Sequence, residues 1–338
     1  MNEPSPRLTA DVVICAYSDL RWHQLCQAVE SVQVQTIRPR QILLCIDHND
    51  ELADHCLERW PEFGQVAQPH VKVLRNRYAG RLGSARNTAA EHVSADIIAF
   101  LDDDARAEAT WLEELLRVYE GDAGAVAVGG APQPLFETAR PVWFPEEFQW
   151  VFGCHYVGLP EQRSPTEHLI GASMSVRAEA LRRLNGFQSD NHDDMDLSHR
   201  VAATYGRASV IYEPRARVTH FVTAQRVTWD YFWRRCYSVN RGKVRAFRDM
   251  GHAGNITAEL AFARRMAGSV LRRAARGLRG DRAALRQAGA IVVGLGLAGL
   301  GHARGRMDLV MGKAPESLTR GLQSGSSSTR SPETACKA

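Results

Sequence analysis

The sequence lacks the cysteine spacing that builds small secreted or zinc-binding domains. Its seven cysteines are scattered over 338 residues, and none forms a Cys-x-x-Cys pair. Neither a disulfide framework nor a zinc site is expected, and a reducing compartment is predicted. An apolar leader is also missing, because residues 1–9 are polar and contain two prolines. A signal peptide for secretion is therefore not expected.

Long apolar runs are scarce. The run at residues 288–301 has 14 residues, is rich in glycine, and is flanked by Arg286 and Arg304. A helix rises about 1.5 Å per residue, so this run measures roughly 21 Å and falls short of the roughly 30 Å hydrocarbon core of a membrane. It predicts a helix that lies in or dips into the membrane interface. The alternative is a glycine-rich core helix that packs closely against its neighbours.

Acidic residues are nearly missing from one segment. Residues 264–306 contain ten arginines and one acid, Asp281, so this segment carries +9 within a chain of net charge +4. Such a segment suits an anionic membrane surface or, alternatively, nucleic acid. No aromatic residue follows Phe262 to stack on bases, and the arginines alternate with Ala, Leu and Val. A membrane surface is therefore expected as a partner, and nucleic acid is not.

The apolar fraction of 44% and charged fraction of 24% are ordinary for a folded chain, and the first half alternates between apolar runs and amphipathic stretches. This alternation predicts an α/β fold with a mostly parallel sheet flanked by helices. Strands are expected at residues 11–16, 41–47, 71–75, 97–101 and 125–129, and helices at 51–60, 84–93 and 109–119 after a first helix that ends near Gln35. Ligands of such sheets bind beyond the carboxyl ends of the strands.

The pattern breaks at Gly130. Residues 132–160 contain five prolines and many aromatic side chains. A long irregular segment is either functional or, alternatively, pinned to the core by its aromatics. Beyond it we expect a strand at 169–176, a helix at 178–184, a strand at 209–212 and basic helices from Arg226 onward. The expected organisation is a flexible N-terminus at 1–9, a catalytic domain at 10–225, a basic helical membrane-associated extension at 226–312 and a disordered tail at 313–338.

An acidic cluster follows the expected strand at 97–101. Asp102, Asp103 and Asp104 are consecutive, and three carboxylates would repel one another without a cation. Carboxylate oxygens suit Mg²⁺ or Mn²⁺, which also bind substrate phosphates. The alternative is a solvated turn that caps the next helix. The position at a strand end favours a metal site.

Three further segments carry chemistry. Asp47 ends a strand, where its carboxylate could accept hydrogen bonds from a nucleoside. Residues 80–87 combine two glycines with a helix start and Arg86, which suits a phosphate. They do not form Gly-x-Gly-x-x-Gly, so a nicotinamide oxidoreductase is disfavoured. Asp193 and Asp194 begin an expected helix, where a carboxylate could act as general base or simply complement the helix dipole.

Taken together, these motifs resemble family 2 glycosyltransferases of GT-A fold over residues 10–245. The matching motifs are Asp11-Val-Val-Ile-Cys-Ala-Tyr17, Ser31-Val-Gln-Val-Gln35, Ile46-Asp47, Gly83-Ser-Ala-Arg-Asn87, Phe100-Leu-Asp-Asp-Asp104, Gly171-Ala-Ser-Met-Ser-Val-Arg177, Asn185-Gly-Phe187 and the segment 193–200. The block Pro141 to Pro160 and Arg235-Cys-Tyr237 are similar to the bacterial glucosyl-dolichyl-phosphate glucuronosyltransferase-like group. The chain departs from the family pattern at Ser173, usually Asn, and at Asp193, usually Glu.

The resemblance implies a role for each matching residue. Asp194 would be the general base, with Asp193 beside it. Asp102 and Asp104 would form the DxD pair, and His220 would complete a site for Mg²⁺ or Mn²⁺. The residues implied to bind the nucleotide sugar are Ala16, Tyr17, Asp47, Arg86, Asp102, Asp103, Arg226 and Arg235. One base without an enzyme nucleophile would give inversion in a single displacement.

The expected function is transfer of one sugar from a nucleotide-diphosphate sugar, with UDP as the expected nucleotide. The expected acceptor is a membrane-linked or cell-envelope glycan, such as a polyprenyl-phosphate-linked saccharide. The expected location is the cytoplasm, peripheral at the inner face of the plasma membrane. An alternative enzyme class is a nucleotidyltransferase, but the loop after the first strand, residues 16–21, contains no glycine.

Overall fold

The structure is a computed structural model that describes residues 7–63, 68–190, 192–249 and 256–312. The predicted tail at 313–338 and most of the predicted N-terminal segment lie outside the described residues. One mixed sheet forms the centre of the molecule. Its strands are β1 (Ala10–Ala16), β2 (Gln41–Ile46), β3 (His70–Arg75), β4 (Ile97–Asp102), β5 (Ala105–Ala107), β6 (Ala127–Phe136), β7 (Ser164–Pro165), β8 (Ser173–Arg177) and β9 (Val210–Val222).

The strand order is β3-β2-β1-β4-β8-β6-β9-β5, and β7 pairs with β9. Strands β1 to β4 are parallel neighbours, whereas β8 lies antiparallel between β4 and β6. Since β6 and β9 are parallel to each other, six of the nine strands within the described ranges point in one direction. The predicted α/β fold with a mostly parallel sheet is therefore confirmed, and the carboxyl ends of these six strands share one edge.

Helices cover both faces of the sheet. They are α1 (Trp22–Gln33), α2 (Asp50–Arg59), α3 (Leu82–Ala90), α4 (Trp111–Gly121), α5 (Ala178–Arg183), α6 (Asp193–Tyr205), α7 (Trp229–Asp249), α8 (Ile256–Leu278) and α9 (Arg282–Val310). Helices α1, α2 and α4 bury their apolar side chains on one face, and α3, α5 and α6 pack on the other. In α1 the buried positions include Leu25, Val29 and Val32, which is the helical spacing that the sequence predicts.

Strand β6 is longer than the sequence pattern predicts, because it continues through two prolines to Phe136. Proline cannot donate a backbone hydrogen bond, so it is confined to strand edges. Here β8 pairs only with Ala127 to Gly129, and beyond this point β6 has β9 as its strand partner. Pro132 and Pro134 therefore lie where, among the described residues, no strand pairs with the second side of β6. Strand β9 is likewise longer than predicted and extends to Val222.

A third apolar cluster joins the aromatic segment to the C-terminal helices. Phe144, Phe148 and Phe152 are fully buried together with Phe232 of α7 and Ile291 of α9. The Phe144 and Phe152 rings stack with centroids 4.6 Å apart. Such aromatic pairs add about 0.5–1.5 kcal/mol beyond the area they bury. These aromatic side chains therefore anchor residues 141–160 in an apolar core that includes side chains of α7 and α9.

The predicted apolar run lies within the 29-residue helix α9, which is about 43 Å long. By length and composition this helix could cross a membrane, and the 14-residue apolar run forms the middle part of it. One face is nevertheless packed in the protein, because a Cβ atom at Gly294 would lie 2.4 Å from the Phe148 ring. Val292, Val293 and Leu300 on the same helix are exposed. The helix thus combines a glycine-lined packing face with an exposed apolar face.

Candidate active site

Strand pairing assembles a group of possible metal ligands at the carboxyl edge of the sheet. Asp102 ends β4, and β5 follows after a short turn. In the antiparallel pair of β5 and β9, Ala105 is opposite His220, so His220 Nε2 lies 2.8 Å from Asp104 Oδ1. The candidate ligand atoms of Asp102, Asp104 and His220 all lie within 4.8 Å of one another. Two carboxylates and an imidazole at this spacing fit a divalent ion such as Mg²⁺ or Mn²⁺.

The ring of His220 is held from its other side. Its Nδ1 lies 3.3 Å from Cys154 Sγ in the aromatic segment. Burial alone would lower the pKa of His220, but Asp104 overcomes this and raises it well above the ordinary value. Burial alone would raise the pKa of Asp104, but His220, Arg21 and Arg226 together lower it to about 2. The carboxylate is therefore ionised at neutral pH, as a metal ligand must be, whereas His220 would have to release its proton to bind an ion.

Arg21 supports the middle of the acidic cluster, and no sequence motif identified it. Its Nη1 lies 3.0 Å from Asp103 Oδ1 and 3.0 Å from Asp104 Oδ2. Burial, together with the neighbouring Asp104, raises the pKa of Asp103 to about 7. The only sequence signal for Arg21 was its position in the loop after the first strand, near Tyr17. This cation offsets part of the negative charge of the cluster.

Arg86 is buried, with 2% of its surface exposed, and bridges two acidic clusters. Its guanidinium contacts Asp193 and lies 3.1 Å from Asp102 Oδ1, and it also donates to the Gly171 carbonyl over 3.0 Å. Burial raises the pKa of Asp193 to about 7 despite the contact with Arg86. Arg86 therefore fixes the start of α6 against the end of β4. Its predicted contact with the nucleotide phosphates stays a prediction.

Asp194 lies in the first turn of α6, and two backbone N–H groups hold its carboxylate. Its Oδ2 accepts from the Gly171 N–H over 3.1 Å, and its Oδ1 accepts from the Met195 N–H over 2.8 Å. Asp193 is 5% exposed, whereas Asp194 is only half-buried. The two neighbouring carboxylates thus differ, since Asp193 is tied to Arg86 and Asp194 borders open space.

A large cleft of about 1890 Å³ lies over these groups. It brings together most of the predicted site residues. They are Tyr17, Arg86, Asp102, Asp103, Asp104, Asp193, Asp194, His220, Arg226 and Arg235. A cleft of this size exceeds the roughly 300–1,000 Å³ of most ligand pockets, so it has room for more than one bound molecule.

Two predicted residues do not line this cleft. Ala16 is 2% exposed and packs in the core beneath helices α1, α2 and α4. Asp47 follows β2, and its Oδ1 accepts a hydrogen bond from Asn76 Nδ2 over 2.7 Å. Ser173, the departure from the family pattern, is fully buried and accepts from Trp111 Nε1 over 2.8 Å. Contact of Ala16 and Asp47 with a nucleotide stays a prediction.

A sheet of this topology, with an Asp-rich strand end and an acidic helix start meeting in one cleft, is the arrangement expected of a GT-A glycosyltransferase. The sequence profile of Glycosyl transferase family 2 matches residues 11–184. The chain belongs to this family, and the predicted enzyme class is confirmed.

The named relatives and solved structures that this chain is similar to are also glycosyltransferases. The chain is 30% identical over 240 residues to the glucosyl-dolichyl phosphate glucuronosyltransferase of Haloferax volcanii, covering 67% of this chain and 75% of the relative. The solved mannosyltransferase PcManGT of Pyrobaculum calidifontis, in complex with GDP-Man and Mn²⁺, superposes with a TM-score of 0.57 at 16% identity. That match covers 89% of this chain and 88% of the other. GalNAc-T7 with UDP, GalNAc and Mn²⁺ gives a TM-score of 0.50 at 17% identity, covering 74% and 55%.

Proposed function

We propose that the protein is an inverting, metal-dependent glycosyltransferase that adds one sugar per event. The expected donor is a UDP-sugar, and the expected acceptor is a hydroxyl of a membrane-linked or cell-envelope glycan. The observation that carries this proposal is that Asp194 lines the same cleft as the candidate ligands Asp102, Asp104 and His220. A base and a cation site in one cleft are what a sugar transfer from a diphosphate requires.

The residues at the carboxyl edge of the sheet suit a diphosphate leaving group. A divalent ion held by Asp102, Asp104 and His220 would neutralise charge that develops on the diphosphate. Arg226 Nη1 lies 3.7 Å from Asp104 Oδ2, and the same guanidinium donates to the Phe152 carbonyl over 2.9 Å. The hydrogen bond to the Phe152 carbonyl holds the Arg226 guanidinium beside the acidic cluster. Arg226 is therefore placed to stabilise the leaving phosphate.

Asp194 suits the role of general base. Both carboxylates line the cleft, but Asp193 is buried and engaged by Arg86, so Asp194 is the more exposed carboxylate of the pair. Its two backbone hydrogen bonds hold the side chain in one orientation, which a base needs in order to meet the acceptor hydroxyl. Removal of the hydroxyl proton by Asp194 while the hydroxyl attacks the anomeric carbon is a single displacement, and it inverts the configuration.

The C-terminal helices support a location at a membrane. Val292, Val293 and Leu300 expose apolar surface on α9, and Arg286 and Arg304 flank this stretch of the same helix. Apolar surface and basic residues together bind anionic bilayers. The Haloferax relative is named for a dolichyl phosphate. We place this protein in the cytoplasm, peripheral at the inner face of the plasma membrane, with residues 226–312 as the membrane-associated extension.

The decisive experiment measures transfer and its stereochemistry. Purified protein, Mn²⁺ and a panel of nucleotide sugars are incubated with membrane lipid extract, and the anomeric configuration of the product is read by NMR. A UDP-sugar should be consumed, and the new linkage should have the inverted configuration. Retention of configuration would contradict the single displacement.

Asp194→Asn tests the base. A general base supplies roughly 10²- to 10⁴-fold in rate, so kcat should fall by this range while UDP affinity stays within about twofold. Asp230→Asn is the matched control, because Asp230 is an exposed acid outside the cleft lining. Equal loss of UDP affinity and of kcat in Asp194→Asn would assign Asp194 to donor binding instead.

A further inference from the structure

The candidate ligand His220 makes a contact that the proposed function does not use. Its Nε2 lies 2.8 Å from Asp104 Oδ1 at the candidate metal site, and its Nδ1 lies 3.3 Å from Cys154 Sγ. All three side chains are buried. A histidine that binds a metal through one nitrogen keeps a hydrogen on the other, and the partner of that hydrogen fixes the orientation of the ring. Carboxylates and carbonyls are the usual partners, whereas here the partner is a thiol.

Cys154 reaches His220 through a tight turn at the end of the aromatic segment. Gly153 has a φ of 72°, in the left-handed region that favours glycine. A Cβ atom at Gly153 would lie 3.7 Å from His220 Cε1, so the backbone of the turn packs directly against the imidazole. The turn therefore contacts the ring at Cε1 and, through the sulfur of Cys154, at Nδ1.

The hydrogen of the Cys154 thiol has a different acceptor. The thiol donates to the Phe152 carbonyl, with Sγ 3.9 Å from the oxygen. A thiol has one hydrogen to donate, whereas its sulfur can also accept a hydrogen bond. The sulfur is therefore able to accept from the Nδ1–H of His220. With that hydrogen on Nδ1, the lone pair of Nε2 is available on the side of the ring that faces Asp104.

Burial of a cysteine does not by itself indicate a function, because a thiol also packs as a small apolar side chain. Cys236 provides the comparison, since it is fully buried in the same apolar cluster as Cys154. Cys154 lines the cleft and contacts His220, whereas Cys236, which also lies in the described part of the chain, does neither. The contact with His220 thus distinguishes Cys154 from a thiol that only packs.

We propose that Cys154 is a positioning residue of the metal site, which holds His220 with its hydrogen on Nδ1 so that Nε2 is presented to a divalent ion. This inference rests on the proposed function, because it requires Asp102, Asp104 and His220 to hold the ion. It gives the aromatic segment a role beyond packing. The same turn also holds Arg226, which donates to a backbone carbonyl of the segment over 2.9 Å.

Binding of Mn²⁺ to the full chain with saturating UDP, followed by electron paramagnetic resonance of the free ion, tests this role without a transfer assay. Loss of the outer partner of a metal ligand typically costs roughly 10- to 100-fold in metal affinity, so Cys154→Ala should weaken Mn²⁺ by about tenfold or more. Cys236→Ala is the matched control, because it removes the same thiol from the same cluster. It should change Mn²⁺ affinity less than about twofold. An equal loss in both variants would mean that loosening of the cluster, and not the contact with His220, weakens the site.

Cys154→Ser separates positioning from packing. A hydroxyl can accept a hydrogen bond from Nδ1 as the sulfur does, so this variant should recover most of the Mn²⁺ affinity that Cys154→Ala loses. A loss in Cys154→Ser as large as that in Cys154→Ala would overturn the proposal.

The ring nitrogens of His220 can also be read in the parent protein, where no variant has to fold. With Mg²⁺ and UDP bound, the ¹⁵N shifts of labelled histidine should show a protonated Nδ1 and an unprotonated Nε2. The reverse pattern would make the thiol the donor and contradict the proposal. If the parent protein binds no Mn²⁺, the proposed function and this inference fail together. If the parent protein and Cys154→Ala bind Mn²⁺ equally, only the inference fails.

Discussion

The packing of α9 against α7 can be tested at a single glycine. At Gly301 an added Cβ atom would lie 2.2 Å from the Tyr237 carbonyl oxygen and 3.2 Å from the Arg241 backbone nitrogen. Both are backbone atoms of α7, which cannot rotate away as a side chain can. Gly301→Ala therefore requires the two helices to separate by about 1 Å, and overpacking of this kind costs roughly 1–3 kcal/mol.

Gly296→Ala is the matched control. Gly296 lies in the same helix, and its Cβ would meet nothing within 4 Å. Alanine is favoured over glycine in a helix interior by about 1 kcal/mol, and this gain is common to both variants. The difference between them therefore isolates the clash at Gly301, about 1–3 kcal/mol, or several degrees in Tm at roughly 2–4 °C per kcal/mol.

The assay is differential scanning calorimetry of both variants without membranes. Gly296→Ala should match or exceed the Tm of the parent protein, and Gly301→Ala should melt several degrees below Gly296→Ala. Equal melting temperatures would mean that α9 is not packed on α7. The result matters for function, because the docked position of α9 is what places Leu295 and Gly299 at the cleft.

Two further changes probe the cation site and the docking of the extension. Asp104→Ala should abolish the Mn²⁺-dependent stabilisation by UDP, which is about 2.7 kcal/mol at a hundredfold excess over Kd and is measured as a rise in Tm. Undiminished UDP affinity with added Mn²⁺ would refute the ligand assignment. Glu147→Gln leaves Arg273, whose Nη2 lies 2.9 Å from Glu147 Oε2, without its ion pair and should cost about 3 kcal/mol at pH 7 by urea unfolding. Burial alone would raise the pKa of Glu147, but Ser269 and Arg273 lower it below 4.5, so this stabilisation is present above that pH and is lost as pH falls further. A cost that is the same at pH 3 and pH 7 would contradict this reasoning.

The fold and the enzyme class were predictable because both depend on local pattern. Apolar runs such as residues 97–101 mark buried strands, and acids that directly follow them must lie at the carboxyl edge of the sheet. This local rule places Asp102 and Asp104 at that edge, whereas Asp194 is assigned to the site by the family resemblance. The catalytic and metal-binding roles of these residues stay predictions.

Other parts of the site depend on surfaces that meet across long stretches of chain. His220 and Asp104 are 116 residues apart, and Arg86 and Asp193 are 107 apart. No periodicity in the sequence specifies which distant strands or helices come together. Pairing of β5 with β9 and docking of α6 on α3 decide these contacts, because only there are the apolar faces and the buried charges satisfied together.

The sequence by itself determined the α/β class, the glycosyltransferase family and the acidic clusters, since these follow from residue types at local spacing. Only the tertiary structure decided where α9 lies and which of its side chains line the cleft. The glycines of α9 are compatible with a membrane or with a core, and the contact of Gly301 with α7 selects the core for one face of that helix. His168 and His199 are 31 residues apart, and their rings approach to 3.2 Å only because α6 packs beside the segment before β8.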